Sequence, residues 1–112
     1  MIDLNELCKI SLATAEQRQR NGGNIKTDTR SMLKHCATEV VEATEAYSKI
    51  RYFPQLNLNE QEIVKEQFSS ELADIVTCVL IIAGKEGIDM EKALTSCIEK
   101  NRKRAEGIGD KL

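Results

Sequence analysis

FSSELADIVTCVLIIAG, residues 68–84, sets two acids, Glu71 and Asp74, at the head of a strongly apolar run. The run lacks the apolar–polar alternation of a half-buried strand and meets no Gly or Pro before its end, so it reads as a helix. Stepping about 100° per residue from Leu72, the side chains of Leu72, Val76, Val79 and Ala83 fall within about 40° of it, the expected core stripe. Glu71 falls at about −100°, inside a second apolar arc carried by Val64, Ile75, Cys78 and Ile82, and Asp74 at about −160°, between the directions of Cys78 and Ile81. A helix apolar on nearly every side is one that other helices surround. The fold this predicts is all-α with this helix at its centre, and neither acid on it reads as solvent decoration.

The flanking sequence supplies the other helices. One runs from about 4 to 20, opened by Asp3 with Glu6 three positions later as a capping box and ended by NGGN. A second runs from about 28 to 53, opened around TDT and stopped at Pro54, the single proline. The central helix starts at Asn59, with Glu62 three residues on, and continues to Gly87, suited to a left-handed C-terminal cap. Asp89 caps a fourth helix to about residue 105, and GIGDKL reads as a frayed tail. No linker, repeat or low-complexity block divides the chain, so the expectation is a four-helix, bundle-like single domain over 1–112, with its core over about 4–105. The central helix needs more cover than three neighbours give, which predicts a homodimer or homotetramer.

Composition bounds the function. At 112 residues, 41% hydrophobic and 30% charged, the chain suits one folded core rather than disorder. A net charge of −2 and a pI near 5.5 argue against a general affinity for nucleic acid or anionic membrane. Cys8, Cys36, Cys78 and Cys97 form no CxxC pair and have no His at zinc-finger spacing, so all four read as small core residues in a reducing compartment. MIDLNELCKIS lacks the regions of a signal peptide, and a soluble cytoplasmic protein is expected.

The second helix repeats the anomaly of the first quoted stretch. Its stripe of Cys36, Ala37, Val40 and Tyr47 is extended on one side by Met32, Ala43, Ala46 and Ile50, and Glu39 lies within that extension with Glu42 one ridge beyond. Glu39 with Glu42, and Glu71 with Asp74, are each three apart, so each pair projects from one helix face. A single such pair in a Glu-rich helix is ordinary. Two pairs displaced into apolar arcs on neighbouring helices are not, because like charges in low dielectric oppose ionisation. A divalent cation resolves the conflict: hard oxygen ligands suit Mg²⁺, or Mn²⁺ in its place, and Mg²⁺ joins carboxylates to substrate phosphates. On the fourth helix, Lys100, Asn101 and Arg104 lie at or beside the apolar stripe and suit phosphate oxygens. Arg102 and Lys103 point to solvent. His35 reads as a solvated helix residue, with a substrate contact the competing role, and Tyr47, Tyr52, Phe53 and Phe68 as core, with base stacking the competing role.

TEVVEATEAY, then SELADIVTCVLIIAGKEGIDMEKAL, then EKNRKR, together resemble the MazG-like all-α nucleoside triphosphate pyrophosphohydrolases. The family pattern is EExxE followed at a distance by ExxD. Glu39 and Glu42 match the second and third acids of the first element, Glu71 and Asp74 match ExxD after a gap of 28 residues, and Lys100, Asn101 and Arg104 match KN-x-x-R. Thr38 stands where the first Glu would be, and the chain has no Trp to match the base-stacking Trp of some relatives. The resemblance implies Mg²⁺-dependent hydrolysis of a nucleoside triphosphate between the α and β phosphates, by a dimer or larger oligomer. Glu39, Glu42, Glu71 and Asp74 would hold metal, Glu39 or Glu42 would take the proton from water, and Lys100, Asn101 and Arg104 would meet phosphate. The competing expectation is a helical-bundle interaction module that keeps the fold without chemistry. A di-iron carboxylate bundle would want Glu-x-x-His on two helices, which His35 does not supply.

Overall fold

A computed structural model describes residues 3–50 and 53–107 and contains, among them, four α-helices and no strand. They are α1 (Leu4–Arg20), α2 (Thr29–Ile50), α3 (Leu58–Glu86) and α4 (Met90–Ala105). Local chemistry fixes each start. The Asp3 carboxylate accepts from the backbone N–H of Asn5 at 2.9 Å and Glu6 at 3.3 Å, and Asp28 accepts from Ser31 at 3.1 Å. At the far end of α3, Gly87 takes the left-handed conformation (φ 64°), and the Ile88 N–H closes back on the Ala83 carbonyl at 2.9 Å. Asp89 caps α4 and also accepts from the Asn5 side chain at 2.9 Å, while Asn5 Oδ1 accepts from the Met90 N–H at 2.9 Å. The start of α4 is thereby pinned to the start of α1.

Two boundaries differ from expectation. LNLNEQE spells the capping pattern twice, and the register used is Asn57 with Glu60 rather than Asn59 with Glu62. Asn57 Oδ1 accepts from the Glu60 N–H at 2.8 Å, the Glu60 carboxylate accepts from the Asn57 N–H at 3.2 Å, and Gln61 reaches the Leu56 carbonyl at 3.1 Å. The earlier register adds that last bond, which a start at Asn59 would forgo. α2 ends at Ile50 rather than 53, and Pro54 sits inside a 3-10 turn, Phe53–Gln55, where its missing N–H is no loss. Positions 51 and 52, including Tyr52, and the tail 108–112 lie outside the described residues.

α3 packs against both α2 and α1. Ala15, Met32, Cys78 and Ile81 form one buried cluster, and Cys8, Leu80 and Ala83 a second. Gly84 lets α1 approach: a Cβ there would stand 2.8 Å from the Cys8 carbonyl oxygen and 3.2 Å from Leu12 Cβ. Gly84→Ala would gain helix propensity yet force the two backbones apart, for an expected net loss of about 1–2 kcal/mol, read as a lower midpoint in thermal unfolding.

The core lies on a different face of α3 from the one expected. Leu72, Val76 and Val79 are 46%, 54% and 37% exposed, and of that stripe only Ala83 is buried. On α2, Val40 and Tyr47 are exposed, whereas Met32 and Ala43, from the extension of the stripe, are buried. Cys97 is not core either: it is exposed on α4, a helix with no buried residue. The cause is the number of partners. A single chain offers α3 only α1 and α2 as close neighbours, and they cover the arc that holds Glu71. α3 is long and apolar enough to cross a membrane by length and composition alone, but it packs on α1 and α2 and carries Glu71 within that packed face.

Candidate functional site

Because the buried arc of α3 is the one containing Glu71, packing it on α2 brings the acids of the two helices together. One carboxylate oxygen from each of Glu39, Glu42 and Glu71 lies within 4.8 Å of the others. Glu39 is 8% exposed, an unusual degree of burial for a charged group. Its Oε1 is 3.0 Å from His35 Nε2, one turn earlier on α2. Its Oε2, and the Oε2 of Glu71, are buried without a hydrogen-bond partner. Two orphaned carboxylate oxygens at one spot are costly in a folded protein unless something else satisfies them.

Electrostatics agree. Burial first, and then the charges of Glu42 and Asp74, push both Glu39 and Glu71 above the usual carboxylate range; His35 acts in the opposite sense on Glu39. Asp74 is exposed and stands outside the close trio, near enough to act on both by charge. With Glu39 it lines a cavity of about 320 Å³ whose other walls include Arg18, Ile25, Met32, His35, Thr77 and Cys78. Burial holds the Cys78 thiol up at about 11, so at neutral pH the donor set is carboxylate oxygen rather than thiolate. The residues present therefore fit a hard divalent cation: Glu39, Glu42 and Glu71 around it, with Asp74 at the rim. Thr38 is exposed and donates to the Lys34 carbonyl at 3.3 Å, so the non-acidic position is turned into its own helix.

Lys100, Asn101 and Arg104 are exposed on α4 and do not line this cavity within the chain. Asn101 donates to Cys97 Sγ at 3.7 Å, and Arg102 bonds Glu99 and Glu106, each at 2.7 Å, in a surface ladder as expected of a solvent-facing residue. Phe68 is half-buried and its ring centroid is 5.6 Å from that of Tyr47, which is 50% exposed rather than core. The sequence reading misses the pairing of His35 with Glu39 and the place of Arg18. His35 was legible in principle, since it stands four residues before Glu39 and such pairs share a helix face. Arg18 was not, because only the tertiary fold sets this α1 residue beside Met32 and His35 of α2.

The sequence matches the family described as MazG nucleotide pyrophosphohydrolase domain over residues 27–108. No curated protein and no solved structure matches it significantly.

Proposed function

Since the chain belongs to the MazG nucleotide pyrophosphohydrolase family, we propose that it is a Mg²⁺-dependent nucleoside triphosphate pyrophosphohydrolase, splitting its substrate between the α and β phosphates into a monophosphate and pyrophosphate. The observation that carries the reading is the close carboxylate trio of Glu39, Glu42 and Glu71, with buried, orphaned oxygens on Glu39 and Glu71. A scaffold without chemistry has no use for so unfavourable an arrangement. A divalent cation bound there supplies neutralising charge for the phosphates and a more acidic water.

The chain's own groups do the rest. Glu39 and Glu42 on α2 are the candidates for taking the proton from the attacking water, and a carboxyl whose pKa is raised is a better base than an ordinary one. His35 holds Glu39 through Oε1 and leaves Oε2 buried and without a hydrogen-bond partner. Lys100, Asn101 and Arg104 remain candidates for phosphate contact, and in a homodimer α4 of a second copy can bring them to the acids. The protein as proposed is a single domain, acts in the cytoplasm on the nucleotide pool, and binds neither nucleic acid nor membrane.

The test is pyrophosphate release across a panel of ordinary and damaged nucleoside triphosphates, with Mg²⁺, with Mn²⁺ and with a chelator. The expected result is metal-dependent release, one pyrophosphate per monophosphate, from at least one member. Silence across the panel with both metals would retire the enzyme in favour of a helical interaction module.

A further inference from the structure

The cavity beside the acids does not end there. A second cavity of about 230 Å³ is lined by Arg18, Asn24, Ile25, Lys26, Ser31, Met32 and His35, and shares Arg18, Ile25, Met32 and His35 with the first. The two adjoin along these four residues: Glu39 and Asp74 line only the first, Lys26 and Asn24 only the second, and Arg18 lines both. Of the shared residues, Ile25 and Met32 are apolar. The guanidinium of Arg18 makes no ion pair or hydrogen bond among the described residues, although it shares a cavity with two acids. An arginine facing carboxylates without pairing to them leaves a gap that suits a bridging anion.

The turn that carries this wall is built to hold its place. The Gly23 N–H donates to the Arg18 carbonyl at 2.8 Å, and a Cβ at Gly23 would stand 2.7 Å from that oxygen. Thr27, 5% exposed, donates to the Gln19 side chain at 3.0 Å. Both bonds tie the turn to the last residues of α1, so the turn that carries Lys26 is held against the end of the helix that carries Arg18 before any ligand arrives.

We propose that Arg18, with Lys26 in the adjoining cavity, forms an in-chain phosphate-binding wall beside the carboxylates, taking the part of the triphosphate that the metal does not hold. The inference rests on the pyrophosphohydrolase reading and adds two residues to it. Adjoining cavities that share Arg18, one lined by acids and the other by Lys26, are complementary to a Mg²⁺–polyphosphate, whose own charge is divided the same way. Arg suits this place because its planar fork grips phosphate oxygens in pairs and stays charged at every working pH. It is a binding residue on α1, a helix to which the sequence motifs assign no role.

The test is calorimetric binding of inorganic tripolyphosphate, and of a nucleoside triphosphate with a methylene bridge between its α and β phosphates, both with Mg²⁺. Arg18→Ala should weaken both by about 10- to 100-fold, Arg18→Lys should recover part of the loss, and Lys26→Ala should cost less than Arg18→Ala. Binding of Mg²⁺ alone to Arg18→Ala should be unchanged or tighter, since a positive charge near the acids is gone; this separates a lost phosphate contact from a damaged fold. Unchanged tripolyphosphate binding in Arg18→Ala overturns the inference, including the case in which only the nucleotide analogue is weakened and Arg18 reads the base. A wild-type protein that binds and hydrolyses nucleotide while Arg18→Ala matches it defeats this inference alone. A wild-type protein that binds neither probe defeats the function with it.

Discussion

Glu71→Gln is expected to abolish Mg²⁺-dependent pyrophosphate release, a loss on the order of 10³-fold or more, while raising the melting temperature of the metal-free protein at neutral pH. The two effects have one origin. The Glu71 carboxyl sits among Glu39, Glu42 and Asp74 with a buried, unpartnered oxygen, and its pKa is raised above 4.5 by burial first and by Glu42 and Asp74 next. A carboxyl raised in the folded state binds its proton more tightly there than in the unfolded chain. Its contribution to stability is therefore complete below the unfolded value of 4.5 and is lost as pH rises through the folded value. Glu39 carries the same sign for the same leading cause. The metal-free wild type should accordingly melt lower at pH 7 than at pH 4.5, Mg²⁺ should remove most of that decline by linkage, and Glu71→Gln should flatten the profile without metal. The amide keeps shape and volume, so unchanged helical circular dichroism completes the control. Full turnover in the variant, or a metal-free melting temperature below wild type, would remove the trio as the site.

How much of this was legible in the sequence follows from how local each feature is. The α1, α2 and α4 starts near Asp3, Asp28 and Asp89 and the stop at Gly87 are written in single side chains that satisfy nearby backbone groups, and each is where its signal says. The four acids were legible because a carboxylate in an apolar arc violates a rule that holds almost everywhere else. The buried face of α3 was not. Both of its arcs are rich in aliphatic residues, and periodicity cannot rank them; the choice is made by α1 and α2, which cover the arc of Cys78 and Ile82 and leave Leu72 and Val76 outside. The start at Asn57 escaped for a related reason, since two overlapping copies of one motif differ only in the bond from Gln61 to Leu56. Arg18 escaped because nothing in its neighbours along α1 says that the fold will set it beside Met32 and His35 of α2.

Val76→Asp is expected to convert the proposed homodimer into a monomer at micromolar concentration, with turnover lost alongside. Val76 is 54% exposed and lies between Leu72 and Val79, while Leu33, Val40 and Tyr47 on α2 are 57%, 47% and 50% exposed. Each of the two helices that carry the acids thus has an exposed, largely apolar face, while Cys78 and Ile81 of α3 and Met32 of α2 are already buried. Fully burying one such side chain contributes roughly 1.5–3 kcal/mol, so completing the burial of half-exposed ones adds roughly 1 kcal/mol each. In a two-fold dimer every residue counts twice, and a dozen such side chains then rival the roughly 4–15 kcal/mol cost of association. The radius of gyration points the same way: at 17.4 Å it exceeds the roughly 13 Å of a self-contained domain of this length. A carboxylate at position 76 would be buried unpaired at the centre of that interface, which the pairing energy cannot offset. Light scattering should report a wild-type mass near twice 12.6 kDa, or a larger even multiple, against a single chain for the variant. Turnover should fall with the mass, since the exposed apolar faces and the acids share α2 and α3, and adding Mg²⁺ should not restore it. A wild-type protein that scatters as one chain while remaining active would mean that these faces meet water in the working molecule, and that α1, α2 and α3 of a single copy suffice to hold Glu39, Glu42 and Glu71 in place.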